Sequence, residues 1–229
     1  MRTKAFTMAE VLITVGIIGV VAAMTLPGVI EGYKKVQTVN QLKKVYSTMQ
    51  QALQKAEVDH EHIEFWDFSL QSNKFFEIYI RPYYKILHEF NNNDFPFTEY
   101  ELACNRSGNC NAYGTFNSAN KIILNDGTLL AFSPYRNTEG ERAGFTIIVD
   151  LNGLKLPNRY GRDVFMFSAQ PKFGIQPYGI GSVVSVENNL NYDREYLLNG
   201  ENRSCKYDGI YCAALIMTDN WEIKKDYPW

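Results

Sequence analysis

The chain predicts an α+β fold, with one long N-terminal helix packed on a small antiparallel β-sheet domain. Three observations predict it. A short basic leader carrying Arg2 and Lys4 precedes an uncharged run from Val11 to Ile30. From there on, Val36, Val39, Leu42, Tyr46, Met49, Leu53 and Ala56 recur at spacings of three and four, the signature of an amphipathic helix. After residue 120 the pattern changes to short apolar runs separated by Asn, Asp, Gly and Pro, which reads as sequential antiparallel strands.

The helix therefore has two halves. Phe6 to Leu26 spans ~30 Å at 1.5 Å per residue, enough to cross a bilayer core. Cations ahead of it favour a cytoplasmic N-terminus. Lys34, Gln37, Gln41, Lys44, Gln51 and Lys55 populate the polar face of the second half. Phe6 to Glu57 as one helix measures ~78 Å. Pro27 removes one of its backbone hydrogen bonds and is expected to bend or loosen it. The polar stretch Glu57 to His62 is expected to end it as a solvated terminus, since alternation splays His60 and His62 too far apart to share a metal.

Ser72 is a candidate cap for a second helix. Its apolar face would hold Phe75, Phe76, Tyr79, Ile80, Tyr83, Tyr84 and Leu87, kinked at Pro82. Residues 91 to 116 read as an Asn-rich loop. Lys121 to Phe132 reads as a hairpin turning at Asp126-Gly127, with further strands at Phe145 to Asp150 and Asp163 to Phe167. Pro171 to Gly181 reads as loop and Cys212 to Met217 as a short helix. Trp221, Tyr227 and Trp229 are expected to pack the tail down.

Composition limits the function classes. The 229 residues carry a net charge of −2, too balanced for a nucleic-acid binder, and the 45% hydrophobic content supports one ordinary globular domain after the anchor. No Gly-x-x-x-x-Gly-Lys loop or Gly-x-Ser-x-Gly elbow occurs, so an enzyme is not expected. Four cysteines fall in two local pairs, Cys104 with Cys110 and Cys205 with Cys212. Disulfides fit an extracytoplasmic domain, and three connectivities are open. A four-thiolate zinc site is disfavoured because the gaps exceed the usual two to four residues. In the loop 150–163, Asp150, Asn152, Asn158 and Asp163 offer hard oxygen ligands suited to calcium. The competing and favoured reading is a loop of Asx turns whose side chains satisfy backbone donors.

Glu10 at the front of the apolar run is a costly acid that fits neither a cleaved secretory signal nor a plain anchor, although Ala22-Ala23 imitates a signal cleavage site. Ala5-Phe6-Thr7-Met8-Ala9-Glu10 followed by an apolar helix resembles the processing signature of type IV pilins and type II secretion pseudopilins. Ala5 stands where the family usually has Gly, and Ala9 where a larger apolar residue is commoner. The resemblance implies a five-residue leader (1–5) cut off between Ala5 and Phe6 by a prepilin peptidase, and methylation of the new Phe6 amine. It implies a pilin-like fold, with membrane span 6–30 in the helix 6–57 and a globular domain over 58–229. Glu10 then neutralises a freed amine and sets axial register between neighbouring helices, because an unpaired buried charge costs several kcal/mol. Pro27 falls where many members carry a helix-bending proline. Gly16, Gly19 and Ala23 share one helical face and permit close helix approach, though glycines are also simply common in membrane helices.

The loop 150–163, the run Gly161 to Phe167 and the terminal Asp226-Tyr-Pro-Trp229 resemble proteins described as type II secretion components. The resemblance thus implies a non-enzymatic pseudopilin in the bacterial inner membrane, with its domain extracytoplasmic. Its implied partners are other pilin or pseudopilin subunits, the peptidase and an assembly platform. A type IV pilus or DNA-uptake subunit, and a membrane-tethered binding protein, are the competing readings.

Overall fold

A computed structural model of the chain describes residues 7–90, 94–96, 100, 103–104, 108–109, 114–136, 143–180, 193–201 and 203–229. Helix α1 runs Met8–His60, 53 residues, and continues through Pro27. The chain divides into two compact units, up to Gln37 and from Thr38 to Trp229. The first unit carries its apolar side chains exposed; Leu12, Ile18 and Met24 are each more than 60% accessible.

The second unit is a two-layer α+β domain. Its sheet has six strands: β1 (Ile86–Phe90), β4 (Asn120–Leu124), β5 (Leu129–Arg136), β6 (Ala143–Asp150), β7 (Val164–Gln170) and β8 (Gly174–Pro177), in the order β1-β4-β5-β6-β7-β8. Every neighbouring pair is antiparallel. Two-residue strands β2 (Ala103–Cys104) and β3 (Gly108–Asn109) pair separately. Among the described residues the further α-helices are α2 (Ser72–Tyr79), α3 (Gly114–Asn117), α4 (Arg194–Asn199) and α5 (Cys212–Thr218).

The buried stripe of α1 in this unit comprises Val39, Leu42, Val45, Met49, Ala52, Leu53 and Ala56. It lies on the sheet near β7 and β8: Tyr46 stacks on Phe167 at 5.8 Å, and Gln50 donates to the Ile175 carbonyl at 2.9 Å. Val36 does not share the stripe. It is exposed, while Val45 and Ala52, which fill the helical face more completely, are buried. Aromatic side chains cement the other end, with Phe75 5.8 Å from Phe145 and Phe76 5.9 Å from Phe132.

The structure departs from the sequence reading at four places. Helix α2 stops at Tyr79, and Pro82 sits in a 3₁₀ turn at Arg81–Tyr83 rather than in a kink. Proline lacks an N–H and cannot make the next α-helical hydrogen bond, so the chain leaves the helix and enters β1, with Leu87 exposed. Ser72 is the first helical residue, not the cap; Gln71 holds that place and makes no side-chain capping bond. The stretch 171–181 contains edge strand β8, which buries Ile175 and tolerates Pro177 at its end. His60 is half-buried rather than solvated and meets Tyr79 edge-on at 5.2 Å. The hairpin at Asp126-Gly127 forms as expected: Gly127 adopts φ 87°, and Asp126 accepts from the Thr128 amide.

Candidate functional site

The loop joining β6 to β7 gathers all four oxygen-bearing residues at one end of the sheet. Register pairs Asp150 with Val164, so the end of one strand and the start of the next bring Asp150 and Asp163 together. Asp150 is fully buried, and Asp163 is nearly so. The Asp150 carboxylate accepts from the Asn152 amide at 3.1 Å and from the Tyr100 hydroxyl at 2.7 Å. Asp163 accepts from the backbone amides of Arg159 at 2.7 Å and Asn158 at 3.1 Å, and from Asn152 Nδ2 at 3.0 Å. These are the Asx-type bonds the sequence favoured. They organise the loop around its acids.

They do not satisfy it completely. Asn152 Oδ1 and both side-chain polar atoms of Asn158 are buried without a hydrogen-bond partner, and Asn158 is wholly inaccessible. Burial pushes the Asp150 carboxyl well above the usual range, and the charge on Asp163 adds to that. Burial also raises Asp163, against the donors that hold its charged form. Among the described residues, no three His, Cys, Asp or Glu side chains gather to hold a metal. A cation here would rest on two carboxylates and amide oxygens. The donor chemistry fits a hard ion, since every candidate ligand atom is oxygen.

Other elements lock this loop from the C-terminal side. Cys205 and Cys212 form a disulfide with their Cα atoms 4.4 Å apart, closing a short loop. Within it Gly209, at φ 84°, lies against the Tyr160 backbone; a Cβ there would come 2.5 Å from the Tyr160 oxygen. The buried Tyr227 hydroxyl donates to the Gly161 carbonyl, and the Arg162 guanidinium lies 5.6 Å from the Trp229 ring. Asp219, the buried residue that ends α5, is held by Arg194 and Lys224, and Arg194 also grips Asp226. Tyr100, Gly209 and Tyr227 were not legible as partners of this loop. They approach it from far along the chain, and no spacing marks such contacts.

In the first unit, Ala5 and Phe6 lie outside the described residues. Glu10 is present at the start of α1, where its Oε2 accepts from both the amide and the hydroxyl of Thr7 at 2.8 Å. The Glu10 amide donates back to the Thr7 hydroxyl at 3.3 Å, completing a reciprocal capping box. Cys104 contributes backbone to β2, while the proposed bond from Cys104 to Cys110 lies outside the described residues.

These features define an α+β domain with a buried oxygen-rich loop, in a chain whose first helix is long and apolar enough to cross a membrane. Membrane anchors and signal sequences share that property of the helix. The chain belongs to DUF6613, a family of unknown function, by a match over residues 28–229. No curated protein and no solved structure matches it.

Proposed function

We propose that the chain is a non-enzymatic filament subunit of the type IV pilin and pseudopilin kind, serving a type II secretion system. Prepilin peptidase cuts between Ala5 and Phe6, and the subunit is drawn from the inner membrane into a helical assembly of pilin-like chains. The observation that carries this reading is a single acid, Glu10, at the head of an uncharged apolar helix and directly behind the Ala5-Phe6 junction. In a lone anchor that carboxylate serves only to cap its own helix. A polymer of parallel helices does, because each freed amine needs a counter-charge and only one axial offset supplies it. The fold suits the role. Apolar residues fill the helix up to Ile30, while the residues from Val39 onward present one stripe to a sheet.

The test is mass spectrometry of the protein isolated from its native membrane. A chain beginning at N-methylated Phe6 supports the proposal. One beginning at Met1 refutes it and leaves a tethered domain. Comparing fibres from pilus and secretion mutants by immunogold labelling then assigns the system, and labelling lost only with the pilus would replace secretion by pilus assembly.

A further inference from the structure

We propose that the loop between β6 and β7 rests on an anionic lipid surface, with Leu154 and Leu156 at the acyl boundary and Lys155, Arg159 and Arg162 among the headgroups. This rests on the anchor part of the functional reading, and on neither cleavage nor assembly. Three features of the second unit carry it: an exposed apolar pair, the charge around that pair, and the end of the unit where both lie.

Leu154 is 41% exposed and Leu156 74%, and Lys155 between them and Pro157 after them are exposed as well. Among the other described residues of this unit, exposed large apolar side chains stand singly in the sequence, as at Val58, Phe65, Leu87 and Phe173. Single ones are ordinary; a pair held on a rigid loop is a contact surface. The loop is rigid because its acids bind its own backbone amides, at Asn152, Asn158 and Arg159. Gly153 also abuts the Gly127 carbonyl, where a Cβ would stand 2.6 Å from the oxygen. Little conformational freedom is left to lose on docking.

The charge has one sign. Asp150 and Asp163 are buried, whereas Lys155 is exposed and Arg159 and Arg162 are partly so. Apolar side chains ringed by cations complement anionic lipid, whose acyl boundary takes the first and whose headgroups take the second.

The position selects lipid over other partners. Helix α1 enters the second unit at Thr38, and Lys44 pairs with Asp126 in the β4–β5 turn at 2.7 Å. Gly153 lies against that same turn. At the opposite end of the unit, Asp59 of α1 accepts from Tyr83, and Trp66 stacks on Phe145 near the start of β6. The loop therefore occupies the end of the unit by which α1 arrives. From Ile30 to Lys44 the chain is a tether of about 21 Å as helix. Such a tether keeps the local lipid concentration high, so a contact too weak to recruit a free protein is still made.

The experiment uses the full chain, as single copies in nanodiscs doped with a lipid that carries a photoreactive diazirine near its glycerol end. Labelled residues are mapped by mass spectrometry. Label is expected in two places, on α1 between Val11 and Ile30 and on Leu154 to Pro157, the second stronger with phosphatidylglycerol than with phosphatidylcholine alone. Leu156→Ser and Lys155→Gln should each lower loop labelling about three- to fivefold while melting and the α1 label stay as in the wild type. Label on α1 without label on the loop overturns the lipid contact and leaves the anchor standing. Label at neither place refutes the anchor, and this contact with it. Equal loop labelling in neutral and anionic discs overturns the role given to the cations. An unlabelled loop whose Lys155 is crosslinked by an amine reagent in discs holding two copies assigns the surface to a second chain instead.

Discussion

Glu10 has two physical roles open to it, and substitutions at two positions separate them. Within the chain it caps α1, accepting two bonds from Thr7 and returning one. Losing such a cap costs about 1 kcal/mol, which alters an assembly equilibrium about fivefold. In a filament it would neutralise a neighbour's amine, and leaving that buried cation unpaired costs about 3–5 kcal/mol, a few hundred-fold or more. Glutamine preserves the capping box but not the charge. Thr7→Ala loses the box and keeps the charge. The fraction of subunit recovered in sheared fibres, against the membrane pool, should thus fall severely in Glu10→Gln and Glu10→Ala and only mildly in Thr7→Ala. The mature N-terminus of each variant is checked by mass, so that a processing defect is not read as an assembly defect. If Glu10→Gln assembles as the wild type does while Thr7→Ala fails, the carboxylate is only a helix cap and the register argument is wrong.

Three further outcomes concern the folded domain. Replacing Cys205 and Cys212 by alanine removes a crosslink seven residues apart in sequence, worth about 2.4 kcal/mol by loop entropy, and melting should fall about 5–10 °C relative to the oxidised wild type. Gly209→Ala combines a left-handed backbone with contact against Tyr160 and should cost about 2–3 kcal/mol in denaturant titration, whereas Gly127→Ala meets no atom and bears only the backbone strain. The pH response should carry two opposite signs. Burial holds the Asp150 and Asp163 carboxyls above their unfolded values, so acidifying from neutral relieves them and the wild type should gain stability relative to Asp150→Asn. Burial raises Asp219, but bonds from Arg194 and Lys224 outweigh it and hold the group below the usual range. That contribution is present at neutral pH and lost as pH falls through the depressed value. Arg194→Ala should cost about 1–3 kcal/mol at pH 7 and flatten this acid limb.

Local patterns were legible in the sequence, and contacts across the chain were not. Strands β4 to β7 announce themselves because each run is bounded by its own turn residues, and α5 follows from a small apolar cluster behind Cys212. Strand β1 was hidden because Tyr83, Tyr84 and Leu87 extend a helical spacing that only the backbone consequence of Pro82 interrupts. Strand β8 was hidden because Gly174 and Pro177 read as loop, although pairing with β7 along one edge overrides that. The four oxygen residues were legible since one hairpin connection holds them all. Their incomplete satisfaction was not, because it depends on burial under a tail and a disulfide loop that follow much later in the chain.

The placement of Tyr227 against Gly161 sets an order of events during synthesis. The oxygen-rich loop emerges some 65 residues before the tyrosine that bonds it, so it stays open to solvent until that later segment has followed. The segment around Tyr227 thus fastens a loop whose own Asx turns had to hold it in shape beforehand.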